Sequence, residues 1–190
     1  MKTLSFSRTL LHTVLVVLPL LALPHQSATA DDYVLTVGGG YSPAGNQLSL
    51  ERNVVFFRKL LSKTYTDGVP HDLLFADGDS PNPDLNFAPV DHEPPHTNLL
   101  VALLIGRENN LGLKYRENEL ENVDAMSSPQ TLETWFKESG SKLKAGDRLI
   151  LYITAHGGRS SDKKNKGNSK LYMWDRSSID AKALAGVNAG

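Results

Sequence analysis

The segment Arg148–Thr154 constrains the fold more than any other part of the chain. Its five inner residues, Leu-Ile-Leu-Tyr-Ile, are all apolar. An unbroken apolar run of this length is typical of a strand buried on both faces of a parallel sheet. The segment therefore predicts an α/β protein in which helices cover the sheet.

The beginning of the chain after residue 30 supports the same architecture. Residues 33–37 form a short β-branched run that ends in three glycines, 38–40. Apolar residues then recur at helical spacing over residues 50–64, with Ser49 as the expected N-cap. A strand, a glycine turn and a helix in this order open a doubly wound sheet. We expect a three-layer α/β/α sandwich with a mostly parallel sheet.

For the remaining segments, the sequence predicts some elements clearly and leaves others open. Residues 71–76 and 170–174 predict strands, and 77–95 predict a long exposed loop. Residues 98–105 fit a helix or a strand equally well, and a strand is possible near 111–115. Ser128 and Pro129 predict a helix start, and Ser177 or Ser178 is expected to cap a final helix over 179–184.

The first thirty residues predict a secretory signal peptide. Lys2 and Arg8 precede an apolar stretch over residues 10–23, and Ala28-Thr29-Ala30 gives a small-x-small ending. This order predicts cleavage after Ala30, leaving residues 31–190 as one domain that is secreted or periplasmic. A membrane anchor is the alternative, although Pro19 and Pro24 interrupt the rather short apolar run.

Composition excludes several classes of function. The chain has 20 Lys and Arg against 21 Asp and Glu, spread rather than clustered, so no nucleic-acid partner is indicated. It has no cysteine, which excludes disulfides, a thiolate zinc site and a thiol nucleophile within these residues. After signal removal we expect no association with a membrane.

The residues with chemical potential follow the Arg148–Thr154 strand. His156 comes two positions after that strand and is followed by Gly157 and Gly158. Ligands of open parallel sheets bind beyond the carboxyl ends of the strands. A histidine at that position, next to a glycine amide, has the parts of a general base with an oxyanion donor.

This segment resembles a known family. The run from Gly146-Asp147 through the apolar strand to His156-Gly157 is similar to the histidine strand of caspase/legumain-like (clan CD) cysteine peptidases. The strand-like piece at residues 170–174 and the helix-like piece after it fit the same pattern. Upstream, the glycines 38–40 and the stretch 46–51 resemble the first strand-loop-helix of legumain-like proteins.

The resemblance implies an activity and roles for particular residues. His156 would be the catalytic base of a cysteine-type endopeptidase, and Gly157 would supply an oxyanion-hole N–H. Asn46 would orient the histidine, and Arg52 is a candidate for the substrate pocket. No cofactor is needed, and a peptide or protein would be the substrate.

The chain departs from the family pattern in one respect. The family nucleophile is a cysteine at the end of the next strand, and no cysteine is present here. We expect the N-terminal portion of such a peptidase, incomplete at its C-terminal side and inactive by itself. The alternative is a non-catalytic secreted binding or structural module on the same fold.

Other local patterns favour ordinary structure over a site. Pro43 stands where a dinucleotide motif needs its third glycine, and no Gly-x-Ser-x-Gly elbow accompanies Ser160 and Ser161. The acidic segment 77–84 has oxygen ligands for calcium, and 91–93 with His96 could hold zinc, but solvated loops fit both better. The lysines at 163, 164 and 166 are expected to be solvated surface.

The signal-peptide interpretation predicts a specific mature N-terminus. When the full chain is expressed in a host that exports it, the protein recovered outside the cytoplasm is expected to begin at Asp31. Intact-mass spectrometry and N-terminal sequencing measure this directly. A chain that keeps Met1 and sediments with membranes would support the anchor interpretation instead.

Overall fold

A three-stranded parallel sheet forms the centre of the molecule. The computed structural model describes residues 30–89, 96–105, 112–160 and 162–187. The sheet has the order β2-β1-β5, made of β1 (Asp32–Gly38), β2 (His71–Phe75) and β5 (Arg148–Thr154). Both strand pairs are parallel. The prediction of an α/β fold with a parallel sheet is therefore confirmed.

Helices and short antiparallel strands complete the described part of the chain. The helices are α1 (Leu48–Thr64), α2 (His96–Ile105), α3 (Pro129–Glu138) and α4 (Ala181–Val187). The antiparallel strands are β3 (Leu85–Phe87), β4 (Lys114–Arg116), β6 (Gly157–Gly158), β7 (Lys170–Tyr172) and β8 (Ser178–Asp180). β3 pairs with β4, and β6, β7 and β8 form a second small sheet in that order.

The two faces of the parallel sheet are covered by different helices. On one face, Leu35 and Val37 of β1 join a cluster with Leu132 of α3 and partly buried Leu184 of α4. On the other face, Leu50 and Val54 of α1 pack with Leu73 and Phe75 of β2. This arrangement follows from the two-residue period of a strand, which sends alternate side chains to opposite faces.

Polar contacts hold the register of β1 and β5 at both ends. At the amino end, Arg148 donates from Nε and Nη2 to the two carboxylate oxygens of Asp32, each at 2.7 Å. This pairing and a hydrogen bond from Tyr65 lower the pKa of Asp32 to about 2. At the carboxyl end, the Gly39 amide donates to the Thr154 carbonyl at 3.1 Å. Asn53 of α1 also donates to Thr154 Oγ1 at 3.0 Å, which fastens α1 to β5.

Several predicted element boundaries agree with the structure, and one helix cap is exact. β5 spans the predicted residues. α3 begins at Pro129 with Ser128 as its N-cap, and the Ser128 hydroxyl accepts a hydrogen bond from Thr131 N at 3.1 Å. Residues 96–105 are a helix, which resolves the open alternative there. The predicted strand near 111–115 is β4, at 114–116.

Three expectations about local structure are wrong. α1 begins at Leu48 with Gln47 as its N-cap, so Ser49 lies inside the first turn. The expected exposed loop over 77–95 contains β3 and the fully buried Asp84. Residues 178–180 pair with β7 as a strand, and the final helix starts at Ala181.

The last of these errors has a clear physical reason. Asp180 accepts a hydrogen bond from the Ala183 amide at 2.8 Å, as an N-cap does. An aspartate there competes successfully with Ser177 and Ser178 for the start of the helix. Ser177 instead donates to the carbonyl of Trp174 at 2.6 Å and closes the turn between β7 and β8.

The described ranges contain no helix with both the length and the apolarity needed to cross a bilayer. Residues 1–29 of the predicted signal peptide, which spans 1–30, lie outside those ranges, as do Asp91, His92 and Glu93.

A buried ion pair ties the β3–β4 strand pair to α1. Glu51 is 5% exposed and accepts from Arg116 at 3.0 Å and 2.6 Å through its two oxygens. The Glu119 amide donates to the same carboxylate at 2.7 Å. Because both oxygens of Glu51 are occupied, the carboxylate is compensated only while Arg116 stays in place.

Removing the guanidinium should therefore destabilise the protein. We expect Arg116→Met to lower the free energy of unfolding by about 2 kcal/mol, because it leaves an uncompensated carboxylate that is nearly buried. Urea unfolding followed by circular dichroism measures this change. Lys137→Met, which breaks the exposed pair with Glu133, is the control and should have little effect; equal losses would contradict the argument.

Candidate functional site

His156 lies beyond the carboxyl end of β5 and is held by the loop that follows β1. Its Nε2 is 2.9 Å from the carbonyl oxygen of Gly45. The ring centroid is 5.8 Å from that of Tyr41, which in turn meets Tyr172 at 6.1 Å. The ring is partly exposed, so it is fixed on one side and accessible on the other.

The contact with Gly45 determines which ring nitrogen carries the proton. A carbonyl oxygen only accepts hydrogen bonds, so the Nε2 of His156 must be the donor. In the neutral ring the lone pair then belongs to Nδ1. The geometry thus leaves Nδ1 able to accept a proton from a neighbouring group.

The amide of Gly157 is directed away from the small sheet. Tyr172 N donates to the carbonyl of His156 at 2.9 Å, and Gly157 is paired with Leu171 in the antiparallel ladder. Such a position is a non-hydrogen-bonded pair, in which the amide faces away from the partner strand. Gly157 is also exposed, so its N–H is placed beside His156 and faces away from β7.

The loop between β1 and α1 is built around close backbone contacts. A Cβ on Gly40 would lie 2.1 Å from the carbonyl oxygen of Gly45, so only glycine fits there. Asn46 is fully buried and accepts from the Gly40 amide through Oδ1 at 3.0 Å. The side chain of Asn46 therefore closes the loop that presents the Gly45 carbonyl.

Among the described residues, the side chain of Asn46 makes no hydrogen bond to the ring of His156. Its Nδ2 donates to Asp84 at 3.5 Å, and the contact with His156 is made by the carbonyl of the preceding residue, Gly45. Asn46 thus supports the loop that orients His156. Its predicted role in orienting the ring stays a prediction, and any such effect would act through the loop that presents the Gly45 carbonyl.

Asp84 anchors this loop from the β3 side. It accepts from the amide and the side chain of Asn118 at 2.8 Å and 3.1 Å. Burial raises the pKa of Asp84 to about 6, and the nearby Asp77 carboxylate contributes to the increase. Burial likewise raises the pKa of Asp77, which follows β2 at the same edge of the sheet.

Arg52 is exposed on the second turn of α1. Its neighbour Asn53 contacts Thr154, two residues before His156, so Arg52 lies on the helix that flanks the site. Its predicted role in a substrate pocket stays a prediction.

Sequence reasoning missed two contributors to the site, Gly45 and Tyr41. Both act through the loop conformation: Gly45 offers a backbone carbonyl, and Tyr41 packs against the histidine ring. The Tyr41 side chain also approaches the position of a Cβ on Gly45 to 2.7 Å. The sequence offered one indication of these two residues, the density of glycine and proline over residues 38–45. This density predicts a tight loop but does not show which groups the loop contacts.

Of the alternative metal sites, the zinc candidate at 91–93 lies outside the described residues and the calcium candidate at 77–84 lies within them. No group of three or more His, Asp and Glu residues is arranged in the described part of the chain to hold a metal ion. Asp84, one possible calcium ligand, uses its oxygens for hydrogen bonds to Asn118 and Asn46. The lysines at 163, 164 and 166 are exposed, as predicted.

No family model matches the chain, and neither a curated protein nor a solved structure matches it significantly.

The raised pKa of Asp84 predicts a particular pH dependence of stability. Its folded pKa of about 6 exceeds the ordinary value of 3.8, so the folded state binds the proton more tightly. Proton binding by Asp84 therefore stabilises the folded state fully below about pH 4. This stabilisation is lost as the pH rises to about 6, by up to about 1.4 kcal/mol per pH unit.

Asp84→Asn removes this contribution. Urea unfolding at intervals from pH 4 to 7 should show the advantage of the native protein over the variant shrinking as pH rises. The exposed Asp67→Asn variant controls for the change in net charge. A difference between native and Asp84→Asn that stays constant across this range would contradict the assignment.

Proposed function

We propose that this chain supplies the histidine side of a cysteine-type endopeptidase site of the caspase/legumain-like kind. The observation that carries the proposal is the His156 ring, whose Nε2–H is held by Gly45 while Nδ1 stays available. This geometry suits a base that receives the proton of a thiol. The proposed site of action is outside the cytoplasm.

The edge of the parallel sheet supports the proposal. Within the described ranges β5 pairs with β1 and with no strand on its other side. A parallel strand added there would lie about 4.8 Å from β5 and would end beside His156. A cysteine at the end of such a strand would stand next to Nδ1. The cysteine must come from outside these 190 residues, because they contain none.

The proposed chemistry is covalent. The thiol proton passes to Nδ1 of His156, and the thiolate attacks the carbonyl carbon of the peptide bond. The Gly157 amide would donate to the developing oxyanion. The imidazolium then protonates the leaving amine, and a water molecule, deprotonated by His156, hydrolyses the thioester. Asn46 and Asp84 maintain the loop, and Arg52 remains the proposed substrate contact.

A second candidate is a secreted module that binds or supports other molecules without catalysis. The absence of cysteine is the observation that favours it. The two candidates differ in what they require of His156. Only the peptidase needs the ring to change the ionisation of a thiol placed at the β5 edge.

The proposal predicts first that the chain alone is inactive. Purified protein should neither hydrolyse peptides containing Asn, Asp or Arg nor react with thiol-directed probes. Peptide cleavage followed by mass spectrometry measures this. Turnover that is abolished by His156→Ala would show that a different nucleophile is used.

The proposal also predicts that His156 activates a thiol placed beside it. A variant would carry a flexible linker after Gly190, followed by a seven-residue apolar strand that ends in cysteine. The pH profile of its alkylation by iodoacetamide should shift at least about one unit below that of a free cysteine, which has a pKa of about 8.5.

Histidine substitutions provide the controls for that experiment. His156→Ala should return the profile to that of a free thiol, whereas His96→Ala, which removes an exposed histidine on α2, should leave it shifted. Identical profiles with and without His156 would contradict the proposed function.

A further inference from the structure

The two edges of the parallel sheet are treated differently by the chain. At the β2 edge, the segment after β4 adds its own backbone: Phe75 N donates to Ala125 O at 3.1 Å, and Asp124 N donates to Leu73 O at 2.9 Å. The Asp124 carboxylate accepts from the Leu73 amide at 2.7 Å. That edge is covered, as exposed edges of soluble proteins commonly are.

The β5 edge carries no such cover among the described residues. Arg148 N donates to Asp31 O at 2.9 Å, and Thr154 O accepts from Gly39 N at 3.1 Å, so these groups face β1. Because backbone groups alternate along a strand, the amides and carbonyls of Leu149, Leu151 and Ile153 face away from β1. Three backbone N–H donors and three backbone carbonyl acceptors thus line the open edge of β5.

The side chains of β5 do not protect this edge. Residues 149–153 contain no charge, proline or glycine, which are the usual devices against edge-to-edge pairing. These apolar residues are only partly buried, whereas Leu35 and Val37 on β1 are 0% and 1% exposed. The strand has the composition of a central strand in an edge position.

Apolar surface continues beside β5 on both faces of the sheet. On the α3 and α4 face, a groove of about 1130 Å³ has an apolar part formed by Phe136, Leu143, Leu149 and Leu151, and its lining also includes Glu133, Lys137 and Asp147. On the α1 face, Phe57 stacks on Tyr152 of β5 at 4.1 Å and meets His71 of β2 at 6.2 Å. The hydrogen bond from Asn53 to Thr154 shows which side of α1 faces β5.

Two exposed residues extend the apolar surface along that side of α1. Phe56 lies three residues after Asn53, and Leu60 three residues after Phe57, so both lie on the β5 flank of the helix. Phe56 is 61% exposed and Leu60 is 44% exposed. An occupant of the β5 edge would therefore meet apolar surface above and below the strand.

The sequence of β5 matches itself when a second copy is turned by a two-fold axis. Antiparallel pairing centred on Leu151 places Leu149 opposite Ile153, and Ile150 opposite Tyr152. Arg148 then faces Thr154, and Arg148 is already neutralised by Asp32 of its own chain. Within this strand pair no like charges are opposite each other, and every inner pair is apolar.

We propose that the β5 edge is a self-association surface, at which two copies of this chain pair their β5 strands antiparallel. The result is a continuous six-stranded sheet with a two-fold interface, the commonest symmetry of homo-oligomers. The Phe56 and Leu60 flanks and the two grooves face their counterparts across the axis. The proposal does not depend on any catalytic activity.

Sedimentation velocity over about 1–100 µM tests the proposal on protein recovered from an exporting host, a range that brackets typical weak protein–protein affinities. The native chain is expected to sediment as a concentration-dependent monomer–dimer mixture. Phe56→Lys combined with Leu60→Lys should weaken the dimer at least tenfold, because four lysines meet at the axis. Thermal unfolding of the variant checks that the fold is retained.

The matched control is a second exposed pair with the same spacing. Leu100 and Leu104 on α2 are 60% and 78% exposed, and their double lysine variant is expected to keep the native dimer. Loss of the dimer in this control but not in the α1 variant would overturn the proposal. A native chain that stays monomeric at all concentrations would also overturn it.

Disulfide trapping tests the register. The chain has no natural cysteine, so a single Leu151→Cys gives an unambiguous signal. Partners opposite each other in a hydrogen-bonded antiparallel pair have Cα atoms about 5.5 Å apart, which suits a disulfide. Leu151→Cys should form a covalent dimer faster than the more exposed Leu104→Cys; the reverse order would contradict the β5 pairing.

The outcome is separable from that of the proposed function. The strand appended for thiol activation would occupy the same edge, so that variant is expected to be monomeric. Shifted alkylation without native dimers would support only the proposed function. Native dimers without shifted alkylation would support only self-association.

Discussion

The parallel pairing of β1 with β5 is the contact on which the rest of the structure depends. It runs in register from Asp32 opposite Arg148 to Gly38 opposite Thr154. Because both strands are parallel and end together, the glycine loop after β1 and the histidine after β5 leave the sheet at the same place. The short contact from His156 to Gly45 is a direct consequence of this register.

The parts of the fold that follow from local sequence were predictable. The apolar run of β5 and the Ser128-Pro129 helix start were placed correctly, because each depends on neighbouring residues alone. The position of His156 after β5 was predictable for the same reason. Burial of Asp84 was not, since it depends on a partner distant in sequence, Asn118. The strand at 178–180 was missed for a local reason, because Asp180 and not a serine caps the last helix and leaves 178–180 free to pair with β7.

In the candidate site as well, the residue types were predictable from local sequence, whereas the contacts between distant residues were not. The sequence indicates which residues have useful chemistry, namely His156, Gly157 and Asn46. It does not indicate that the ring is held by a backbone carbonyl, because every residue has one. The Gly45 carbonyl is selected by loop geometry, through the close approach of Gly40 and the side chain of Asn46.

The central claim is that Gly45 holds the Nε2 proton of His156 and leaves Nδ1 free to accept another. Long-range ¹H–¹⁵N NMR correlation of the imidazole ring, recorded at a pH where the ring is neutral, tests it most directly. We expect the pattern of the Nε2–H tautomer, with the ¹⁵N signal of Nδ1 at the position of an unprotonated nitrogen. A ring protonated on Nδ1, or one that averages both tautomers, would contradict the account.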